Sequence, residues 1–119
     1  MRYVFRPPRF PVILVVGDRA FRVVSTGQLR KLLRRELKSA AGAARLLDST
    51  WEWFTVLPDA VLIAPSFLDR QPPTKQALIA LVNGRSNGAP DAPVYKVRSL
   101  SNRTREEVFA ELLAILPAG

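Results

Sequence analysis

"VILVVGDRAFRVVSTGQLRKLLRRELKSAAGAARLL", residues 12–47, is the stretch whose reading decides the fold. Val12 to Val16 is a β-branched run, apolar on both sides, and reads as a strand buried on two faces. Gly17-Asp18 supplies a turn, and Ala20 to Ser25 returns with Phe21 and Val23 on one side and Arg22 and Val24 on the other. That pattern predicts a β-hairpin. Ser25 followed by Gln28 then has the form of a capping box, opening a helix. At ~100° per residue, Leu29, Leu32, Leu33, Leu37, Ala40, Ala44 and Leu47 fall within an arc of roughly 140° to 160°. Arg30, Lys31, Arg34, Arg35, Lys38 and Arg45 occupy a separate arc of similar width. The spacing therefore predicts an amphipathic helix over 28–47 with a basic outer face, weakened near its far end by Gly42.

Upstream, "RYVF" (2–5) can add a third strand, with Pro7 and Pro8 breaking the chain or confining the segment to an edge. Downstream, "DSTWEWFTVLPD" (48–59) supports two readings. Ser49 and Glu52 repeat the capping-box spacing and favour a short helix from Thr50, while the alternation of "WEWFTV" fits a strand about as well. The helix is the reading taken, with Pro58-Asp59 as a turn. Ala60 to Ala64 is apolar on both faces and reads as a central strand. "LDRQPPTK" is a loop, Thr74 to Val82 a helix, and "NGRSNGAPDAP" a second loop. "VYKVRS" (94–99) reads as a strand with Lys96 and Arg98 outward, and "NRTREEVFAELLAIL" (102–116) as the last helix, its first turn carrying Glu106 and Glu107 to suit the dipole.

The expected fold is thus mixed α+β in a single domain over 1–119. An antiparallel hairpin leads into a helix, and a strand-helix-strand-helix tail long enough for a parallel crossover follows. One mixed sheet of four or five strands carries about three helices. The polar outward positions of the strands at 20–25 and 94–98 suggest that part of one sheet face stays open.

Composition narrows the chemistry. The 119 residues contain neither cysteine nor histidine. Disulfides, Cys–His and Ser–His catalysis are excluded, and a zinc or copper site would lack its usual ligands. No cofactor and no metal is expected. The longest apolar runs, "PVILVVG" and "AVLIAP", are far too short to cross a bilayer. The first ten residues lack the apolar region of a signal peptide, so a cytoplasmic location is the expectation. Charge is uneven: residues 1–47 hold 11 Lys and Arg against 2 acids, a balance of +9, and residues 48–119 hold 7 against 8, a balance of −1. An affinity for polyanions, if the chain has one, belongs to its first 47 residues.

These features lead to a small basic protein, non-enzymatic, that binds DNA or RNA or associates with nucleoprotein. Its expected contact residues are Arg30, Lys31, Arg34, Arg35, Lys38 and Arg45, with Arg22 from the hairpin. The alternative is a protein-interaction module, an inhibitor or assembly subunit, whose basic face meets an acidic partner. Trp51, Trp53 and Phe54 read as core, with base stacking as the competing role. "SLSNRTREE" sets Ser101, Asn102 and Arg103 at the start of a helix, with Arg98 nearby, as a weaker anion site. It has no glycine-rich turn, so a mononucleotide-binding phosphate loop is rejected. Asp69 follows the strand at 60–64, at the carboxyl end where ligands collect if the sheet is parallel there. It is the one foothold for a third reading, a small metal-dependent hydrolase.

Overall fold

The computed structural model describes residues 1–37, 44–57, 62–66, 71–87, 94–96 and 100–118. Among these residues six strands form one mixed sheet: β1 (Arg2–Tyr3), β2 (Val12–Val16), β3 (Arg19–Val23), β4 (Ala44–Leu47), β5 (Trp53–Leu57) and β6 (Leu62–Pro65). Their spatial order is β1-β6-β5-β4-β2-β3. Every neighbouring pair is antiparallel except β1 with β6. Among the described residues three α-helices accompany the sheet: α1 (Thr26–Glu36), α2 (Lys75–Asn83) and α3 (Arg105–Ile115). The mixed α+β class is as expected, with one strand more than the upper estimate.

The hairpin forms as the sequence predicts. Val16 pairs with Arg19 across Gly17-Asp18, and Gly17 has φ +60°. Glycine at the first turn position is what the type II′ hairpin turn uses, because that backbone region is strained for a residue with a Cβ. β2 is buried along its whole length and paired on both sides, and β6 also has two neighbours. Neither is an edge strand.

Alternation along the strands sorts the core into two clusters, one on each face of the sheet. Val12, Leu14, Val16, Phe21, Val23, Leu46, Phe54, Val56 and Ile63 meet Leu29, Leu32 and Leu33 of α1. Ile13, Val15, Ala20, Leu47 and Trp53 meet α2 and α3 through Leu78, Ile79, Val82, Val108, Phe109 and Leu112. The result is three layers, helix on sheet on helices, so the sheet carries a buried apolar cluster on both faces. The open sheet face expected from the strand at 20–25 is not found at β3, where Ala20, Phe21 and Val23 are buried and Arg19 and Arg22 half-buried.

Four sequence expectations are corrected. The helix predicted over 28–47 stops at Glu36, and Ala44–Leu47 is strand β4. The heptad-like stripe admitted Ala44 and Leu47 but left Leu46 outside it. In the strand, Leu46 and Leu47 are both fully buried, one on each face, which a helix could not achieve. The short helix from Thr50 is a turn followed by β5. Asp48 organises that turn: its Oδ1 accepts from the amides of Thr50 (3.0 Å) and Glu52 (3.2 Å), and from the Thr50 hydroxyl (2.6 Å). The apparent capping box at Ser49 and Glu52 is therefore an Asx-type turn centred one residue earlier. Trp51 closes it at φ +68°, a strained value for a bulky residue. Its ring is held by burial, by an indole N–H donated to the Pro73 carbonyl (2.6 Å) and by the tilted Phe109 ring at 6.1 Å.

The third correction concerns residues 94–96, which carry no strand. Tyr95 makes a ladder-like pair of bonds with a side chain instead: its N–H donates to Asn83 Oδ1, and its carbonyl accepts from Asn83 Nδ2, both at 2.9 Å. An amide side chain satisfies one residue where a neighbouring strand would satisfy a run. The parallel crossover expected in the tail goes with it, since the parallel partner of β6 is β1. Fourth, the last helix, expected over 102–116, begins at Arg105 and is capped by Thr104. The Thr104 hydroxyl accepts from the Glu107 amide (3.1 Å), and Glu107 returns a carboxylate to the Thr104 amide (3.3 Å).

Candidate nucleic-acid interface

The phase assigned to the start of α1 holds. Ser25 caps it, accepting the Gln28 amide at 3.2 Å, although the Gln28 side chain takes the Val24 amide (2.9 Å) and not that of Ser25. Leu29, Leu32 and Leu33 are buried, while Arg30, Lys31, Arg34 and Arg35 are exposed. The single acid of this helix behaves differently from its sequence neighbours. Glu36 lies on the buried side, 3% exposed, and bridges Arg19 Nη1 (3.3 Å) and Arg35 Nη2 (3.1 Å). Arg19 and Arg35 also lie over the Phe21 ring, 5.5 and 5.9 Å from its centroid.

The seven expected contact residues therefore do not form one surface. Arg30, Lys31 and Arg34 share the outer face of α1, and none has an ion pair or hydrogen-bond partner among the described residues. Arg35 is on the same side but engaged with Glu36 and Phe21. Lys38 lies outside the described residues. Arg45 is on β4, paired with Val15, so it projects to the face covered by α2 and α3, where its guanidinium sits 4.1 Å from the Trp53 ring centroid. Arg22 pairs with Ile13 and is half-buried on that same far face. A helix continued to residue 47 would have placed Arg45 beside Arg34; the strand sends it through the sheet. Arg19 was overlooked. Its signal was parity: it shares the side of β3 occupied by Phe21 and Val23, the side that α1 covers.

Elsewhere, arginines are committed to the body of the protein. Arg6 pairs with Asp48 Oδ2 (3.3 Å) and with Glu52, and lies 4.8 Å over Phe54. The hydrogen bond that Arg6 donates to Glu52, with Asp48 alongside, raises its guanidinium pKa above the ordinary value, burial opposing in part. Arg105 lies 5.7 Å from the Trp51 centroid. Trp51, Trp53 and Phe54 are 6%, 5% and 0% exposed, so none of these rings offers a face to a base. The core role expected of them is the one they have.

The weaker anion site is not assembled from the described residues. Ser101 and Asn102 are exposed on a short 3-10 turn (Leu100–Asn102), Arg103 is ion-paired to Glu111, and Arg98 lies outside the described residues. So does Asp69, on which the hydrolase reading rested. Among the described residues, no group of three or more acidic side chains is placed to hold a metal ion, and no helix is long and apolar enough to cross a membrane. Comparison with protein-family models, with curated proteins and with solved structures gives no match for this chain.

Proposed function

We propose that this chain is a non-enzymatic nucleic-acid-binding protein that grips phosphates through the outer face of α1. One observation carries the reading: Arg30, Lys31 and Arg34 stand exposed and unpaired among the described residues, on a helix whose opposite face is fully buried. Arg6, Arg19, Arg35, Arg45, Arg103 and Arg105 are meanwhile engaged with acids or rings. Unpaired cations held on a rigid helix can release counterions from a phosphate backbone without first breaking an internal ion pair.

The test is a variant with Arg30→Gln, Lys31→Gln and Arg34→Gln. Glutamine keeps helix propensity, so the fold should persist. If each cation meets one phosphate, the slope of log affinity against log salt shrinks by about 2.7 on duplex DNA, or about 2.1 on a single strand. Affinity falls alike on all sequences, because phosphate contacts carry no base information. Unchanged slope and affinity, with a native circular-dichroism spectrum, would remove α1 from the interface. Negligible nucleic-acid binding by the parent at physiological salt, with one acidic protein captured by the parent and lost by the variant, would assign the same face to a protein partner.

A further inference from the structure

The chain leaves β1 through a turn that strains the residue at its centre. The Val4 amide donates to the Ile63 carbonyl (2.9 Å), and the Arg6 amide folds back onto the Val4 carbonyl (3.0 Å). That second bond closes a γ-turn centred on Phe5, at φ +72°. This is the rare, strained form of the turn, and a bulky residue at positive φ is an outlier. Burial does not offset the strain: Phe5 is 79% exposed, and no other aromatic ring is exposed among the described residues. The turn is nevertheless held firmly. The Arg6 guanidinium is fastened to Asp48, Thr50 and Glu52 and lies over Phe54. Arg9 is anchored by its backbone, its amide donating to Asp48 Oδ2 (3.0 Å) and its carbonyl accepting the Ser49 amide (2.9 Å). Arg2 and Arg9 stand exposed on either side of Phe5 in the chain, and neither guanidinium has an ion pair or hydrogen bond among the described residues. Residues 1–10 hold three arginines and no acid.

We infer that Phe5 is a stacking platform for an unpaired base, and that the nucleic acid this chain takes is single-stranded. The assignment rests on the phosphate contacts proposed for α1 and adds the chemical class of the ligand. The Tyr3 and Thr26 hydroxyls share a hydrogen bond (2.7 Å), which joins the strand leading into the Phe5 turn to the first residue of α1. Strain kept in a firmly held turn, with its side chain left in solvent, is accounted for by what that side chain meets outside the protein. An aromatic face in solvent offers a base the same contact as another base, whatever the sequence, and flanking cations meet the phosphates on either side of it. In a duplex both faces of each base are already covered by neighbours. An anionic bilayer also attracts rings and cations, but interfacial binding grows with the apolar area inserted. Here that area is one ring, since the neighbouring Val4 and Phe10 are half-buried.

The experiment measures the affinity of the full chain for a short oligothymidylate, an abasic strand of the same length and a mixed-sequence duplex, by fluorescence anisotropy over a salt series. Phe5→Ala should weaken the oligothymidylate about 5- to 150-fold, the range of one lost base stack, and leave the abasic strand and the duplex unchanged. Its salt slope should stay that of the parent, because no cation is removed. Phe5→Trp should keep the parent's affinity. Phe5→Gly, which relieves the positive φ, should fold as the parent does and bind as Phe5→Ala does. Equal affinity of parent and Phe5→Ala for the oligothymidylate would overturn the inference. So would an equal loss on the abasic strand or the duplex, since the ring would then not be meeting a base. Loss of binding to phosphatidylserine vesicles in Phe5→Ala, with the oligothymidylate affinity unchanged, would give the ring to a membrane surface instead. The α1 contacts fail on a different result: an unchanged slope in the triple glutamine variant removes them and leaves the contrast between oligothymidylate and abasic strand intact.

Discussion

Asp48→Ala should cost about 3–5 kcal/mol of stability, measured as a lower denaturation midpoint with an unchanged denaturant slope. The carboxylate is fully buried. Its Oδ1 holds the turn that carries Trp51, and its Oδ2 accepts from the Arg9 amide (3.0 Å) and from Arg6 (3.3 Å). One side chain thereby ties the segment before β2 to the β4–β5 connection. Alanine removes all of these acceptors and leaves Arg6 with Glu52 as its remaining carboxylate. Asp48→Asn should recover only the Oδ1 half, because its amide N–H2 would meet the Arg9 N–H donor to donor. A midpoint unchanged in Asp48→Ala would mean that water replaces the carboxylate at this turn.

Trp53→Ala should lose a similar amount, about 3–5 kcal/mol. The ring is 5% exposed, lies on the α2/α3 face beside Leu47, and is roofed by the Arg45 guanidinium. Removing it opens a cavity beneath the Arg45 guanidinium. Arg45→Gln should cost much less, on the order of the cation–π contact itself, about 0.5–1 kcal/mol. Thermal melts of the two variants give the comparison. Equal losses would mean that the arginine stem, and not the indole, fills that part of the core.

Much of the architecture could be read from the residues. The β-branched run at 12–16, the Gly-first turn and the leucines at 29, 32 and 33 each follow from local chemistry, and each forms as read. The errors cluster where short apolar stretches satisfy two periodicities. Ala44 to Leu47 continues a helical stripe by position, and only the double burial of Leu46 and Leu47 separates strand from helix. At 94–96 the pattern of a strand is present, but its hydrogen-bond partner is the Asn83 amide, a tertiary contact that no local pattern encodes. The candidate site follows the same division. Arg30, Lys31 and Arg34 were legible because helix phase alone places them. Arg45 lies on the far face because Ala44–Leu47 is a strand, Arg22 lies there by the parity that sets it opposite Phe21 and Val23, and Arg19, by the same parity, joins the α1 side.

The division of the core by the sheet has an evolutionary consequence. Leu33 packs beneath α1 and Leu112 beneath α3, with the strands between them. Side chains in separate clusters share few partners, and changes at such sites combine close to additively. A substitution on the α2/α3 side can therefore be fixed or lost with little bearing on which residues are tolerated under α1. The two sides can therefore drift at different rates, each under the packing demands of its own cluster.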